Sequence, residues 1–398
     1  MCFRVIRLLG LVVAGGLLLG LPAYFWIGDR QQVLRFLYPA QALLTAPSLS
    51  CSVGAPAWLA SAANFSLRDN SSPSGQLAHV TPDGTLHECH YGWHSIPLLS
   101  SRVTKESRFR YASMTKALTA DAVLRQVSTG RLSLDDHLLD LLLPDVAITD
   151  TRLQSVTIEH LLRHSAGFDR LRSTDPMVVR NRKPWCPYTA EPLTKVTLDF
   201  APGERYAYSN LNYCLLAMVL ERVSEQPFRQ LIEREYGLQP RDIRFVDGPY
   251  RADEVSYDFR NSNFYGDDYW RYFDFQALSS SAGLSGSASA LASLWATLRD
   301  QRGFSVEHAA AEEICEPNRL RGCYGHGVFS YRESGSTLTL HAQPGFLYGS
   351  PSVLLLDNHG GVTVWVGNGM RHKGSSTDSM TQFLYRELNA FYASRVPQ

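Results

Sequence analysis

Between Ser113 and Gly130 the chain sets apolar residues at Met114, Ala117, Leu118, Ala122, Leu124 and Val127. That spacing is close to helical, and the glycine ends it. "VTIEHLLRHSAGF" reads as a shorter helix, with Thr157 as its N-cap and Gly167 past its end. "NLNYCLLAMVLERV", from Asn210, is a further amphipathic helix; "SSSAGLSGSASALASLWATL" leads into another, and "SMTQFLYRELNAFYA" is one more. Strand-like runs lie elsewhere. "GQLAHVTPDGTLHECHYGW" predicts a hairpin turning at its Pro-Asp-Gly, and "TLTLHA", "SVLLLD" and "VTVWVGN" predict strands, with "NHGG" turning between the last two. Strands therefore fall at both ends of the chain and helices in its middle. The pattern predicts an α/β (α+β) fold: a mostly antiparallel sheet built from both chain ends, flanked by helices, with a helical subdomain inserted in the middle. A functional site belongs at the junction of the two parts.

The N-terminal pattern differs. "MCFRVIR" carries two arginines, and Leu8 to Ile27 carries no charge. Such a run spans about 30 Å as a helix, the thickness of a hydrocarbon core, and Tyr24 and Trp26 suit the far interface. The rival is a cleaved secretory peptide ending after Ala23, but Leu21 is a poor small-residue position and the run is long for such a peptide. The expected organisation is an anchor or signal sequence over 1–28, a linker over 29–50 and a catalytic domain over 51–398. This predicts a single-pass inner-membrane protein with its domain in the periplasm, or a periplasmic protein if the N-terminus is cleaved.

Charge excludes one class of partner. Lysine plus arginine number 38 and aspartate plus glutamate 38, so no net field draws the chain to nucleic acid. Six cysteines follow Cys2, an even set suited to an oxidising compartment. The expected bridges are Cys51–Cys89, Cys186–Cys214 and Cys315–Cys323. His87, Cys89, His90 and His94 crowd one segment, but a strand would put His90 on the face opposite His87 and Cys89. No paired motif offers a fourth ligand, so the segment reads as a strand with a disulfide, and neither metal nor cofactor is expected.

The candidate chemistry starts with Ser113 and Lys116, three apart on one helix face. A lysine among Ala112, Met114, Ala117 and Leu118 is out of place as a surface charge. In a partly dry setting its ammonium is disfavoured, and the amine can take a serine proton. Alone, Ser-x-x-Lys is weak, and an exposed lysine beside an N-cap serine explains it. Support comes from "FAPGERYAYSNLNYCLLAMVLE", where Tyr208 and Asn210 stand just before a helix. A phenol can share a proton with the lysine and a leaving group, and an asparagine amide can orient a substrate carbonyl.

"FRYASMTKALTA", "TIEHLLRHSAGF", "FAPGERYAYSNLNYCLLAMVLE" and "SSSAGLSGSASALASLWATL", in this order, resemble the serine β-lactamase and penicillin-binding-protein superfamily, in its class C-like branch. The resemblance runs from about residue 55 to 395. It implies a serine hydrolase working through an acyl-enzyme: Ser113 as nucleophile, Lys116 as base, Tyr208 as base and then proton donor, and Asn210 as a holder of the acyl side chain. It also implies that the Ser113 N–H is an oxyanion donor and that His164 is a structural marker at a helix end.

The third motif of that branch is Lys/His-x-Gly, and here the chain departs from it. In "LHAQPGFLYGSPSVLLLD", a register on His341 supplies a histidine but no glycine, followed by Pro344, which has no N–H to give an oxyanion. A register on Gln343 supplies Gly345, and Phe346 follows with an N–H, but glutamine replaces the cation. Oxyanion chemistry favours the second register. A carboxylate then loses a charge-assisted hydrogen bond, so neutral acyl donors are the expected substrates. The leading expectation is an esterase or peptidase acting on a small-molecule or cell-envelope acyl substrate. The alternatives are a penicillin-binding sensor that acylates without turnover, a D-alanyl carboxypeptidase and a true β-lactamase.

Overall fold

A computed structural model describes residues 2–172, 175, 177–178, 183–260, 269–301, 306, 323–347, 349–369 and 376–394, with backbone alone for 2–23, 269, 301 and 376–377. Strands from both chain ends build one seven-stranded antiparallel sheet in the order β1-β3-β2-β10-β9-β8-β7. The strands are β1 (Ser50–Cys51), β2 (Ser74–Val80), β3 (Leu86–Tyr91), β7 (Phe329–Tyr331), β8 (Leu340–Leu347), β9 (Ser350–Asp357) and β10 (Val362–Asn368). A smaller sheet pairs β4 (Phe109–Arg110), β6 (Leu284–Gly286) and β5 (Arg244–Phe245). The expected hairpin is β2–β3, and Gly84 turns it with φ +86°, where a side chain would be strained.

Alternation divides the large sheet between two cores. Leu77, Val353, Leu355 and Trp365 face one layer, formed by α2 (Ala57–Arg68) and α10 (Ser376–Ala393). Ala78, Leu354, Leu356 and Val364 face the other, where α9 (Ala288–Gln301) and the helical middle of the chain pack. That middle includes α3 (Thr115–Ser128), α4 (Leu138–Leu142), α5 (Ile158–Leu162), α6 (Asn210–Ser224), α7 (Phe228–Tyr236) and α8 (Phe275–Ala282). The antiparallel sheet from both termini and the inserted helices are as the sequence pattern predicts.

Some boundaries moved, each for a physical reason. The helix expected from Ser113 begins at Thr115, because a 3-10 turn over Ala112–Met114 precedes it. The strand expected over "TLTLHA" begins later and runs on through Pro344. Pro344 and Pro351 are tolerated because Pro344 pairs with Val353 and Pro351 with Phe346, positions whose nitrogens face away from the β8–β9 ladder. α1 spans Cys2–Thr45, with a break at Asp29 (φ −151°, ψ 76°), so the segment read as a linker is mostly helical. Tyr38 and Ala42 of that segment are buried in the α2/α10 core. Among the described residues, no helix is long and apolar enough to cross a membrane; the side chains of residues 2–23, where the anchor was read, lie outside that description.

Cys51–Cys89 joins β1 to β3, and Cys186–Cys214 ties the segment before α6 to that helix. Cys323 is disulfide-bonded, and Cys315 lies outside the described residues. Closing a loop of 38 residues should lower the entropy of the unfolded chain. Replacing Cys51 and Cys89 together by alanine is therefore expected to cost about 2–4 kcal/mol, read by denaturant unfolding under non-reducing conditions. An unchanged unfolding midpoint would contradict this.

Candidate active site

Ser113 sits where the sheet meets the helical layer, and three features fix it there. Ala112 takes φ +49°, a left-handed conformation rare for a residue with a Cβ, which turns the chain sharply before the serine. Ser350 and Ser352 of β9 donate their hydroxyls to Arg110 O at 2.8 Å and Tyr111 O at 2.7 Å. Gly345 of β8 completes the contact. A Cβ there would stand 2.8 Å from Tyr111 O and 2.9 Å from Ser113 N, so only glycine lets the strand lie this close to the serine backbone.

Lys116 follows one turn later and is fully buried. Its Nζ donates to Asn210 Oδ1 at 2.7 Å and to Ser281 O at 2.8 Å, and lies 3.3 Å from Ser113 Oγ. None of these partners is charged, and among the described residues Lys116 makes no ion pair. Burial pushes its pKa well below that of an ordinary lysine; Asp175 opposes this and Arg170 adds to it. The Tyr208 and Tyr213 rings, 4.8 and 5.5 Å from Nζ, also favour the ammonium, by about 0.5–2 kcal/mol each at most. Desolvation outweighs them. A neutral amine has two hydrogens and one lone pair; Asn210 Oδ1 and Ser281 O take the hydrogens, and the lone pair remains for Ser113.

Tyr208 approaches from the other side, its Oη 2.6 Å from Ser113 Oγ. Burial raises its pKa above that of an ordinary phenol, so it stays protonated at neutral pH. Its placement depends on His164. That residue follows the end of α5 with φ +55°, and its ring packs against Tyr208 at 4.4 Å between centroids. His164 Nδ1 accepts from Ser209 N at 3.3 Å and lies 2.9 Å from Asn212 Nδ2, which holds the start of α6. Burial, with the Arg170 guanidinium adding, keeps His164 neutral. The expected helix-end histidine is thus packed directly against the candidate proton carrier.

Ser113, Lys116, Tyr208, Asn210 and Gly345 are brought together. Gln343 is buried, and its Nε2 donates to Pro344 O at 2.9 Å. His341 is buried with Nδ1 3.0 Å from Ser330 Oγ, about 13 Å up the strand from Gly345 at strand spacing. The Phe346 side chain is partly exposed, and by the ladder register its N–H faces the same edge of β8 as that of Ala342. Sequence reasoning missed three contributors. Ser281 gives only a backbone carbonyl, which no motif reveals. Asp175 Oδ2 accepts from Asn210 Nδ2 at 2.7 Å and so fixes which end of that amide faces Lys116. The Arg170 guanidinium lies 5.0 Å over the Tyr208 ring.

Comparison with known proteins follows the same lines. Residues 71–377 match the family model described as Beta-lactamase. A Dichelobacter nodosus protein of serogroup D, FimD, named for fimbrial assembly, is 35% identical over 378 residues, 94% of each chain. The D-amino acid amidase of Ochrobactrum anthropi SV3, complexed with L-phenylalanine amide, superposes with a TM-score of 0.66 at 17% identity, covering 85% of this chain and 97% of that one. A penicillin-binding protein from Bacillus halodurans superposes with a TM-score of 0.57 at 21% identity, covering 78% and 95%. The two structures share the fold.

The close approach at Gly345 gives a direct test of this packing. Gly345→Ala pushes a methyl against two backbone atoms that cannot swing aside. It is expected to cost about 1–3 kcal/mol of stability in a denaturant titration. A variant as stable as the parent would mean that β8 does not press on the serine turn.

Proposed function

The chain belongs to the beta-lactamase family of serine hydrolases, and from that premise we propose that it cleaves an ester, amide or β-lactam through an acyl-enzyme on Ser113. The observation that carries this reading is Ser113 Oγ lying between Tyr208 Oη at 2.6 Å and the buried Lys116 Nζ at 3.3 Å. The Lys116 amine takes the Ser113 proton as Oγ attacks the acyl carbon. The N–H groups of Ser113 and Phe346 hold the oxyanion. Tyr208 then gives its proton to the leaving group and is reprotonated by the Lys116 ammonium, so the amine is free again to take a proton from the water that releases the acyl group. Asn210 keeps Lys116 in register and meets the acyl side chain.

The burial of Gln343 supports neutral acyl donors, since the third-motif strand presents no cation for a carboxylate. This favours an esterase or peptidase over a dedicated β-lactamase. The likeness to FimD over nearly the full length supports a substrate in the cell envelope, such as a component of surface fibres. The uncharged Leu8–Ile27 run and the disulfides support an exported domain held at a membrane by its N-terminal helix.

The test is to incubate the full chain with a fluorescent penicillin and a chromogenic short-chain ester, following turnover and intact mass. Ser113→Ala should abolish both adduct and turnover; adduct formation undiminished in that variant would sink the assignment. Tyr208→Phe keeps the ring and removes the proton, and is expected to slow turnover by roughly 10²–10⁴-fold. The acidic limb of the rate profile belongs to Lys116. Because burial lowers its pKa, the reactive amine is present at lower pH than in an ordinary lysine and is lost as pH falls through that depressed value. A rate that keeps climbing with pH until ordinary lysines titrate would show that Lys116 is charged in the resting enzyme.

A further inference from the structure

The helix that follows Asp29 exposes large apolar side chains on its outer face. A helix on a globular protein normally buries its apolar face and wets its polar one. From Arg35 on, polar residues turn inward beside Tyr38 and Ala42, while Arg30 and Gln32 stay exposed. Arg35 Nη1 donates to Arg260 O at 2.8 Å, and Arg260 in turn donates to Leu34 O at 3.0 Å and Gln41 Oε1 at 2.7 Å. Tyr38 donates its hydroxyl to Leu67 O beneath the Arg260 guanidinium, and Thr45 is buried. The outward face carries no charge from Phe36 to Leu44, and its large side chains are open: Phe36 is 82% exposed, Leu37 49%, Leu43 67% and Leu44 59%. An apolar stripe of this kind, rigidly held, marks a contact surface.

The same helical element says what covers it. The uncharged Leu8–Ile27 run leads directly into this segment, and the exposed apolar surface continues back through Ile27 and Tyr24. A straight helix would carry Leu43 about 24 Å beyond Ile27, clear of any bilayer that held the run. The chain is not straight. Asp29 leaves the helical conformation, and its Oδ1 accepts from Gln32 N at 2.9 Å, capping a second helix that starts in a new direction. We propose that residues 30–45 form an interfacial helix on the lipid surface, with Phe36, Leu37, Leu43 and Leu44 at the boundary of headgroups and acyl chains. The polar contacts to Arg260 then fix the catalytic domain in one orientation to the membrane, in place of a loose tether. This rests on the reading of Leu8–Ile27 as a membrane segment.

The experiment uses the full chain in a Cys2→Ser background, with Phe36→Cys or Leu43→Cys carrying a small fluorophore, reconstituted into vesicles of phosphatidylethanolamine and phosphatidylglycerol. Brominated lipids should quench both labels, and aqueous iodide should not. Adding Leu44→Glu to Phe36→Glu should open the label at position 43 to iodide while the protein still floats with the vesicles. Protein that floats with both labels open to iodide overturns the proposal and spares the membrane segment. Protein that does not float overturns both. Labels shielded from iodide yet untouched by brominated lipid would mean that a second copy of the chain covers the face, which also overturns it.

Discussion

A lysine buried among uncharged oxygens is the constraint on which the site depends. An ammonium in that position would forfeit its hydration for no counter-charge, at an effective cost of several kcal/mol. Holding the amine neutral at pH 7 costs at most about 4.6 kcal/mol, from an ordinary lysine pKa near 10.4 and 1.36 kcal/mol per unit. The two costs are comparable, so the surroundings decide, and those here favour the amine. Asn210 Oδ1 and Ser281 O accept its hydrogens without adding charge, and Arg170 disfavours a second cation. Asp175, acting from behind the Asn210 amide, and the Tyr208 and Tyr213 rings pull the other way. To assemble this cage, α3, α6 and α8 must converge on one point, which is what the helical insertion accomplishes.

The sheet supplies the other half. Its contribution is the position of a backbone turn, with no catalytic side chain of its own. β9 holds Arg110 O and Tyr111 O with two serine hydroxyls, and β8 presses Gly345 against Ser113 N. Prolines at two positions that owe no bond to the β8–β9 ladder leave that ladder intact, and the register turns the Phe346 N–H away from β9, to the edge of β8 that β7 joins further along. The left-handed Ala112 costs about 1–3 kcal/mol in isolation, and this network is what sustains it. The sheet thus fixes the serine from one side while the helices fix the proton carriers from the other.

Much of this was legible in the sequence because the signals are local. Alternation found the β2–β3 hairpin and the C-terminal strands, and helical spacing found α3 and α6. The Ser113–Lys116 spacing and Tyr208-Ser-Asn210 before α6 named the residues that the fold brings within hydrogen-bond distance. What stayed hidden depends on contacts distant in the chain. Ser281 offers a carbonyl from a helix 165 residues away, and the support His164 gives Tyr208 exists only once α5 and α6 pack. The segment after Asp29 reads in the sequence as a connector between the uncharged N-terminal run and the domain. Its bonds to Arg260, some 225 residues on, and the burial of Tyr38 and Ala42 reveal it as a docked helix.

The charge state of Lys116 can be observed without any substrate. With lysines labelled by ¹³C at Cε, its resonance can be assigned by comparison with Lys116→Arg and followed against pH by NMR. The account predicts that Lys116 loses its proton at a pH well below that of the other lysines and is the neutral amine in the resting protein. A Lys116 signal that titrates together with the surface lysines would contradict it.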